Sequence, residues 1–233
     1  MANITATQLS VDQMAQMIDH TFLKAYAQEA DLQKLCDEAR AHHFRMVAIN
    51  SVPVAFCHAA LADTDVHVGA AISFPLGQTT IATKVFEATD AIKHGADEID
   101  YVLNIGKLKD GDLEYIRDEM QQMVTACHQR QVLLKVILET CYLTDEQKRA
   151  ACAIAREVRP DFVKTSTGFG TAGATVADVA LMKAVVGDAV KVKAAGGIRD
   201  LDTALAMINA GAERIGTSHG VAIVEALAQA QQA

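Results

Sequence analysis

The chain has 233 residues, of which 51% are hydrophobic, 3 are proline and none is tryptophan; this is apolar material for one large domain and excludes a disordered or collagen-like polymer. A formal charge of -8 and a pI near 5.4 exclude a general nucleic-acid binder, which needs a basic face, but still allow a small phosphate to be held locally. Cys36, Cys57, Cys127, Cys141 and Cys152 are odd in number, widely spaced and without a C-x-x-C pair, so neither a disulfide framework nor a zinc site is expected and a cytoplasmic location is.

Residues 1–10 carry no basic stretch ahead of an apolar core, and no apolar run approaches the ~18 residues of a membrane span, so neither export nor a membrane partner is expected. Residues 9–18, with Ser10 and Asp12 as caps, predict a short opening helix, and residues 18–23 a strand. A helix over 29–43 and a strand over 45–49 ending at Asn50 follow, then a helix from Pro53 to Leu61, a strand over 66–74 and a helix over 79–94. Residues 98–103 alternate as a fourth strand, followed by a helix over 112–131, a strand over 132–139 and a Thr-Asp-Glu-capped helix over 144–158. The last units are a strand at 161–165 and helix at 176–186, a strand at 189–194 and helix at 201–209, and a strand at 214–216 with a helix at 221–231. Strand-then-helix units averaging about 29 residues, with continuous apolar strands, predict a single (β/α)8 TIM barrel over residues 1–233 with an extra N-terminal helix. An open doubly wound sheet fits less well, because no G-x-G-x-x-G follows the first strand.

In such a barrel the polar residues at strand C-termini converge on one face, which here selects Asp19, Thr21, Asn50, Asp100, Glu139, Lys164 and Lys193. Lys164 ends its strand and passes into Thr165-Ser166-Thr167-Gly168, hydroxyls and glycine suited to an anion. Lys193 lies 29 residues later, about one repeat, hence at the matched position on the next strand. A free lysine is neutral only about 0.04% of the time at pH 7, and a second cation ~5 Å away lowers its pKa by roughly 2 units. Lys164 is therefore the expected nucleophile, with Lys193 lowering its pKa and Asp100 relaying protons. Gly168, Gly196-Gly197 and Gly216-Thr217-Ser218 follow the last three strands, where barrels commonly hold phosphate. His42, His43, His58, His94 and His128 lack ligand spacing, and Asp110-Gly111-Asp112 lacks the further ligands of a calcium loop, so no metal is expected. Lys135 and Glu139 share a strand face and are expected to pair.

These motifs carry a resemblance. Phe162-Val-Lys164-Thr-Ser-Thr-Gly, Glu98-Ile-Asp100-Tyr-Val-Leu-Asn-Ile-Gly, Val192-Lys193-Ala-Ala-Gly-Gly-Ile-Arg, Leu134-Lys135-Val-Ile-Leu-Glu-Thr and Ile18-Asp19-His-Thr21 together resemble the deoxyribose-phosphate aldolases, a family of class I aldolases, over nearly the whole chain. The resemblance implies reversible cleavage of 2-deoxy-D-ribose 5-phosphate to acetaldehyde and D-glyceraldehyde 3-phosphate through an imine on Lys164, without cofactor or metal. It implies proton transfer by Asp100 and Lys193, phosphate contacts from Gly168, Gly196, Gly197, Gly216 and Ser218, and substrate contacts from Asp19, Thr21, Asn50 and Thr165. It also suggests a homodimer. Phe169 stands where some relatives have a lysine, Asn50 where some have a cysteine, and no tyrosine ends the chain. The alternatives are another phosphosugar lyase or isomerase on the same barrel, and a non-catalytic phosphosugar-binding barrel.

Overall fold

A computed structural model describes residues 4–5 and 8–232; residues 1–3, 6–7 and 233 of the predicted 1–233 span lie outside the described residues. Strands β1 (Ile18–Thr21), β2 (Met46–Asn50), β3 (His67–Ile72), β4 (Glu98–Val102), β5 (Leu133–Ile137), β6 (Phe162–Lys164), β7 (Lys191–Ala195) and β8 (Arg214–Thr217) follow one another in the chain. Each pairs in parallel with the next, and β8 returns to β1, so the predicted barrel closes in sequence order. Helix α1 (Val11–Ala15) precedes β1 as the expected extra helix, shortened because Ser10 and Gln13 form a capping box and Ile18 already belongs to the sheet.

Helices α2 (Glu29–His42), α3 (Val54–Ala60) and α4 (Ile81–Lys93) cover the first three strands. Helices α5 (Ile105–Lys109) and α6 (Leu113–His128) follow β4, α7 (Asp145–Val158) follows β5, α8 (Val176–Val186) follows β6, α9 (Leu201–Asn209) follows β7 and α10 (Gly220–Ala230) follows β8. Side-chain oxygens of Thr80, Asn104, Asp112, Thr144, Thr175 and Asp200 accept from the first-turn amides of their helices, groups with no partner inside the helix. Asp112, predicted to start a helix, does so. Two short elements escaped the sequence pattern, α5 and a 3-10 turn at Thr140–Tyr142, because three to five residues are too few to show a hydrophobic period. None of the helices among the described residues is long and apolar enough to cross a membrane.

Strand alternation divides the barrel wall into two populations. Outward residues such as Val47, Ile49, Val68, Ile99, Leu134, Val136, Val163, Val192 and Ile215 are buried under the helices, each contributing about 1.5–3 kcal/mol. The inward set includes Asp19, Glu98, Asp100, Lys135, Lys164, Lys193 and Arg214, whose side chains meet across the interior. Branched apolar side chains usually fill this space; here ion pairs fill much of it.

A second buried pair anchors the strand that carries Asp100. Lys84 on α4 donates to the Val102 carbonyl and to Glu119 Oε1 on α6, each at 2.7 Å, while Glu119 Oε2 accepts from the Asn104 amide at 3.0 Å. Burial pushes the Lys84 ammonium down and the Glu119 carboxyl up, and their mutual attraction opposes both shifts. Glu119→Leu strands a buried ammonium and is expected to cost about 3–5 kcal/mol in chemical denaturation. The double variant Lys84→Met/Glu119→Leu should recover much of that loss.

Candidate active site

Three strands direct a lysine at one carboxylate. Strand register pairs Asp100 with Lys135, Ile137 with Lys164, and Lys164 with Lys193, so the matched position expected from the 29-residue spacing is the observed one. Lys135 Nζ lies 2.7 Å from Asp100 Oδ1, while Lys164 Nζ at 2.7 Å and Lys193 Nζ at 2.8 Å share Oδ2. One level deeper, Lys135 also meets Glu98, Lys193 meets Asp19, and Arg214 bridges Asp19 and Glu98.

Charge counting explains which group gives way. Four cations, Lys135, Lys164, Lys193 and Arg214, face three carboxylates, Asp19, Glu98 and Asp100. Lys135, Lys193 and Arg214 each touch two carboxylates; Lys164 touches one and shares its oxygen. Burial is the largest influence on Lys164, opposed by Asp100 and reinforced by Lys193, and the net effect lowers its pKa to about 8. The second cation expected from the sequence thus acts in the same direction as desolvation, which is the larger of the two. Burial favours a protonated Asp100, yet Lys135, Lys164 and Lys193 outweigh it and hold that carboxyl well below its usual range. The neutral amine is then far more abundant at pH 7 than it is for a free lysine.

Above this cluster a pocket of about 430 Å³ opens at the C-terminal ends of the strands, with Lys164 in its lining. Gly168, Gly196, Gly197, Gly216 and Ser218 all line it. Gly196 and Gly197 take φ of 87° and 80°, values that glycine adopts at little cost. The hydroxyl of Thr217 donates to the Ile198 carbonyl at 2.7 Å and accepts from the His219 amide at 2.9 Å, tying the loop after β8 to the loop after β7. The N-terminus of α10 begins just beyond, at Gly220. Glycine at 216 serves the lysine as well, since a Cβ there would approach Lys193 Cε to 3.1 Å and Ala195 Cβ to 2.9 Å. Another cavity, about 490 Å³, lies at the opposite end among Arg45, Arg159, Asp161 and Lys191, the end of a barrel where residues serve stability and not chemistry.

The sequence matches the family model described as DeoC/LacD family aldolase over residues 9–226. The chain belongs to the DeoC/LacD aldolase family. It is 60% identical over 218 residues to the deoxyribose-phosphate aldolase of Lactobacillus acidophilus, covering 94% of this chain and 92% of that protein. Identity is 53% over 220 residues to the same-named protein of Thermococcus gammatolerans, covering 94% and 98% of the two chains. The solved structure of deoxyribose phosphate aldolase from Aeropyrum pernix superposes with a TM-score of 0.88 at 30% identity, covering 95% and 93%.

Against this family background, the predicted residues divide by depth. Thr21 and Lys164 line the pocket, whereas Asp100 and Lys193 form its floor network. Asp19, expected to touch substrate, is fully buried beneath the pocket and held by Arg214 and Lys193. Asn50 lies outside the lining and donates to the Leu23 carbonyl at 3.4 Å. Thr165 is fully buried and knits β6 to β7, its Oγ1 donating to the Ala195 carbonyl at 3.2 Å and accepting the Ala195 amide at 3.1 Å. These three hold the framework, because the closed barrel turns their side chains toward other strands or loops. Glu139 does not pair with Lys135; it lies past β5 at φ 53° and accepts the Thr167 amide at 3.1 Å and the Thr167 hydroxyl.

Sequence reasoning missed Lys24, Arg199 and His219 at the pocket mouth, and Glu98 and Arg214 in the floor. Arg214 and Gly216 alternate on one strand, a signal that could have placed the arginine inward; a lone loop lysine such as Lys24 gives none. Lys24 Nζ lies 5.7 Å from the centroid of Phe169, an exposed cation–π contact worth about 0.5–1 kcal/mol, and Phe169 stands edge-on to Phe74 at 5.4 Å.

Asp100→Asn removes the group that raises the Lys164 pKa, so that pKa is expected to fall below about 8. Reductive alkylation of Lys164 followed by mass spectrometry against pH should show its midpoint move to lower pH. The same variant leaves three ammonium groups with less compensation and should lose about 3–5 kcal/mol of stability.

Proposed function

We propose that the protein catalyses the reversible cleavage of 2-deoxy-D-ribose 5-phosphate to acetaldehyde and D-glyceraldehyde 3-phosphate through a Schiff base on Lys164. The observation that carries this reading is the buried Lys164 ammonium, lowered to about 8 and placed at the pocket wall against Asp100. Its likeness to proteins named deoxyribose-phosphate aldolase supplies the substrate.

In the cleavage direction the neutral Lys164 amine attacks the aldehyde carbon of the open-chain sugar, and the resulting carbinolamine loses water to give a protonated imine. The hydroxyl on the third carbon loses its proton, the bond between the second and third carbons breaks, and that electron pair neutralises the iminium as an enamine. D-glyceraldehyde 3-phosphate leaves. The enamine takes a proton on its terminal carbon, and water then releases acetaldehyde and free Lys164. Lys193, an ammonium 2.8 Å from the Asp100 oxygen that Lys164 also uses, is positioned with Asp100 to move these protons through water. The iminium keeps the positive charge that Asp100 already balances, so the intermediate requires little rearrangement of the floor.

The phosphate is assigned to the part of the pocket where Gly168, Gly196, Gly197, Gly216 and Ser218 offer backbone N–H groups and a hydroxyl beside the start of α10. Thr21 is assigned to the sugar hydroxyls. The barrel acts as one catalytic domain. A cytoplasmic location fits five free cysteines. Association into a homodimer is part of the proposal, supported by Tyr26, Val52, Leu76 and Phe86, apolar side chains with 70–93% exposure.

Borohydride reduction in the presence of acetaldehyde should add an ethyl group to Lys164, mapped by peptide mass spectrometry; an unaltered mass would reject the imine. Lys193 shares Asp100 Oδ2 with Lys164, and its positive charge opposes protonation of Lys164. Lys193→Leu should therefore shift the rising limb of the pH–rate profile to higher pH. An unshifted limb would remove that role.

A further inference from the structure

The proposed phosphate end of the pocket is made largely of groups without charge, glycine backbone and the Ser218 hydroxyl, with Arg199 and Lys24 at its edge. Lys24 sits on the loop between β1 and α2, across the pocket from the loop after β6 that bears Gly168 and Phe169. Among the described residues no carboxylate pairs with Lys24; its ammonium rests on the Phe169 ring, 5.7 Å from the centroid. The adjacent loop backbone is restrained, since Asn50 Nδ2 donates to the Leu23 carbonyl at 3.4 Å and the Ala27 amide donates to the Lys24 carbonyl at 3.1 Å. A long, exposed cation thus projects from a held backbone into a pocket whose expected ligand carries between one and two negative charges at pH 7.

We propose that Lys24 determines specificity for the phosphorylated sugar, leaving the Phe169 face to pair with the substrate phosphate. This rests on the aldolase reading above. An exposed cation–π contact is weaker than a charge-assisted bond to phosphate, so the exchange runs toward the ligand. Lys24 makes no contact with the Lys164–Asp100–Lys193 network; its ammonium rests on Phe169 at the pocket mouth. Its effect therefore falls on binding of the phosphorylated substrate and not on the chemical step.

The test compares the unsubstituted protein, Lys24→Ala and Lys24→Arg on 2-deoxyribose 5-phosphate and on unphosphorylated 2-deoxyribose, with calorimetric titration of inorganic phosphate alongside. Lys24→Ala should raise KM for the phosphorylated sugar roughly 10- to 100-fold with a much smaller change in kcat. The preference in kcat/KM for the phosphorylated sugar should shrink by a similar factor, phosphate binding should weaken in parallel, and Lys24→Arg should restore most of each. Equal losses on both sugars, or a phosphorylated-substrate KM within about twofold of the original, would overturn the proposal. If the unsubstituted protein cleaves neither sugar, the aldolase reading fails by itself. Phosphate titration then still decides the fate of Lys24, since equal phosphate affinity in the unsubstituted protein and Lys24→Ala rejects it.

Discussion

The Asp100 carboxylate is the constraint on which the rest of the site depends. Two oxygens receive three lysine ammonium groups at 2.7–2.8 Å, all from buried side chains. A carboxylate so surrounded stays ionised despite burial, and its fixed negative charge makes it possible to keep several cations inside a barrel. Because two lysines divide one oxygen, neither is fully compensated. Lys193 has Asp19 as a second partner and Lys164 has no other carboxylate among the described residues, so the shortfall falls on Lys164.

This arrangement turns a cost into a function. A buried ammonium with half a counter-ion destabilises the fold while it remains protonated. Its pKa lies below the ordinary 10.5, so the penalty is largest below about pH 8 and is relieved as pH rises toward 10.5. The apolar shell outside the strands, the capped helices and the Lys84–Glu119 anchor at the end of β4 supply the stability against which that strain is held. The same neutral amine that relieves the strain is the form able to attack a carbonyl carbon.

At the other end of the pocket the physical problem is reversed, since an anion must be attracted without trapping it. Backbone amides on glycine loops and the start of α10 offer partial charges, and the full charges of Lys24 and Arg199 stay at the exposed rim, where solvent screens them. Covalent chemistry and anion binding are thereby separated by depth. The buried floor has ion pairs that strengthen in low dielectric; the mouth has flexible cations that act only when a ligand arrives.

Much of this was legible in the chain itself. Repeating strand–helix units, apolar strand interiors and capping residues determined the eight-stranded barrel, because periodicity and cap chemistry are local properties. The one-repeat interval between Lys164 and Lys193 determined their adjacency, since matched positions on successive parallel strands become neighbours. Tertiary structure alone decided that Lys135 is a third lysine on Asp100, that Asp19 and Thr165 brace the framework, and that Lys24 reaches the pocket mouth. Those outcomes depend on closure of the barrel and its shear, which bring side chains tens to hundreds of residues apart into contact, and on desolvation, which belongs to the folded interior and has no counterpart in a linear string of residues.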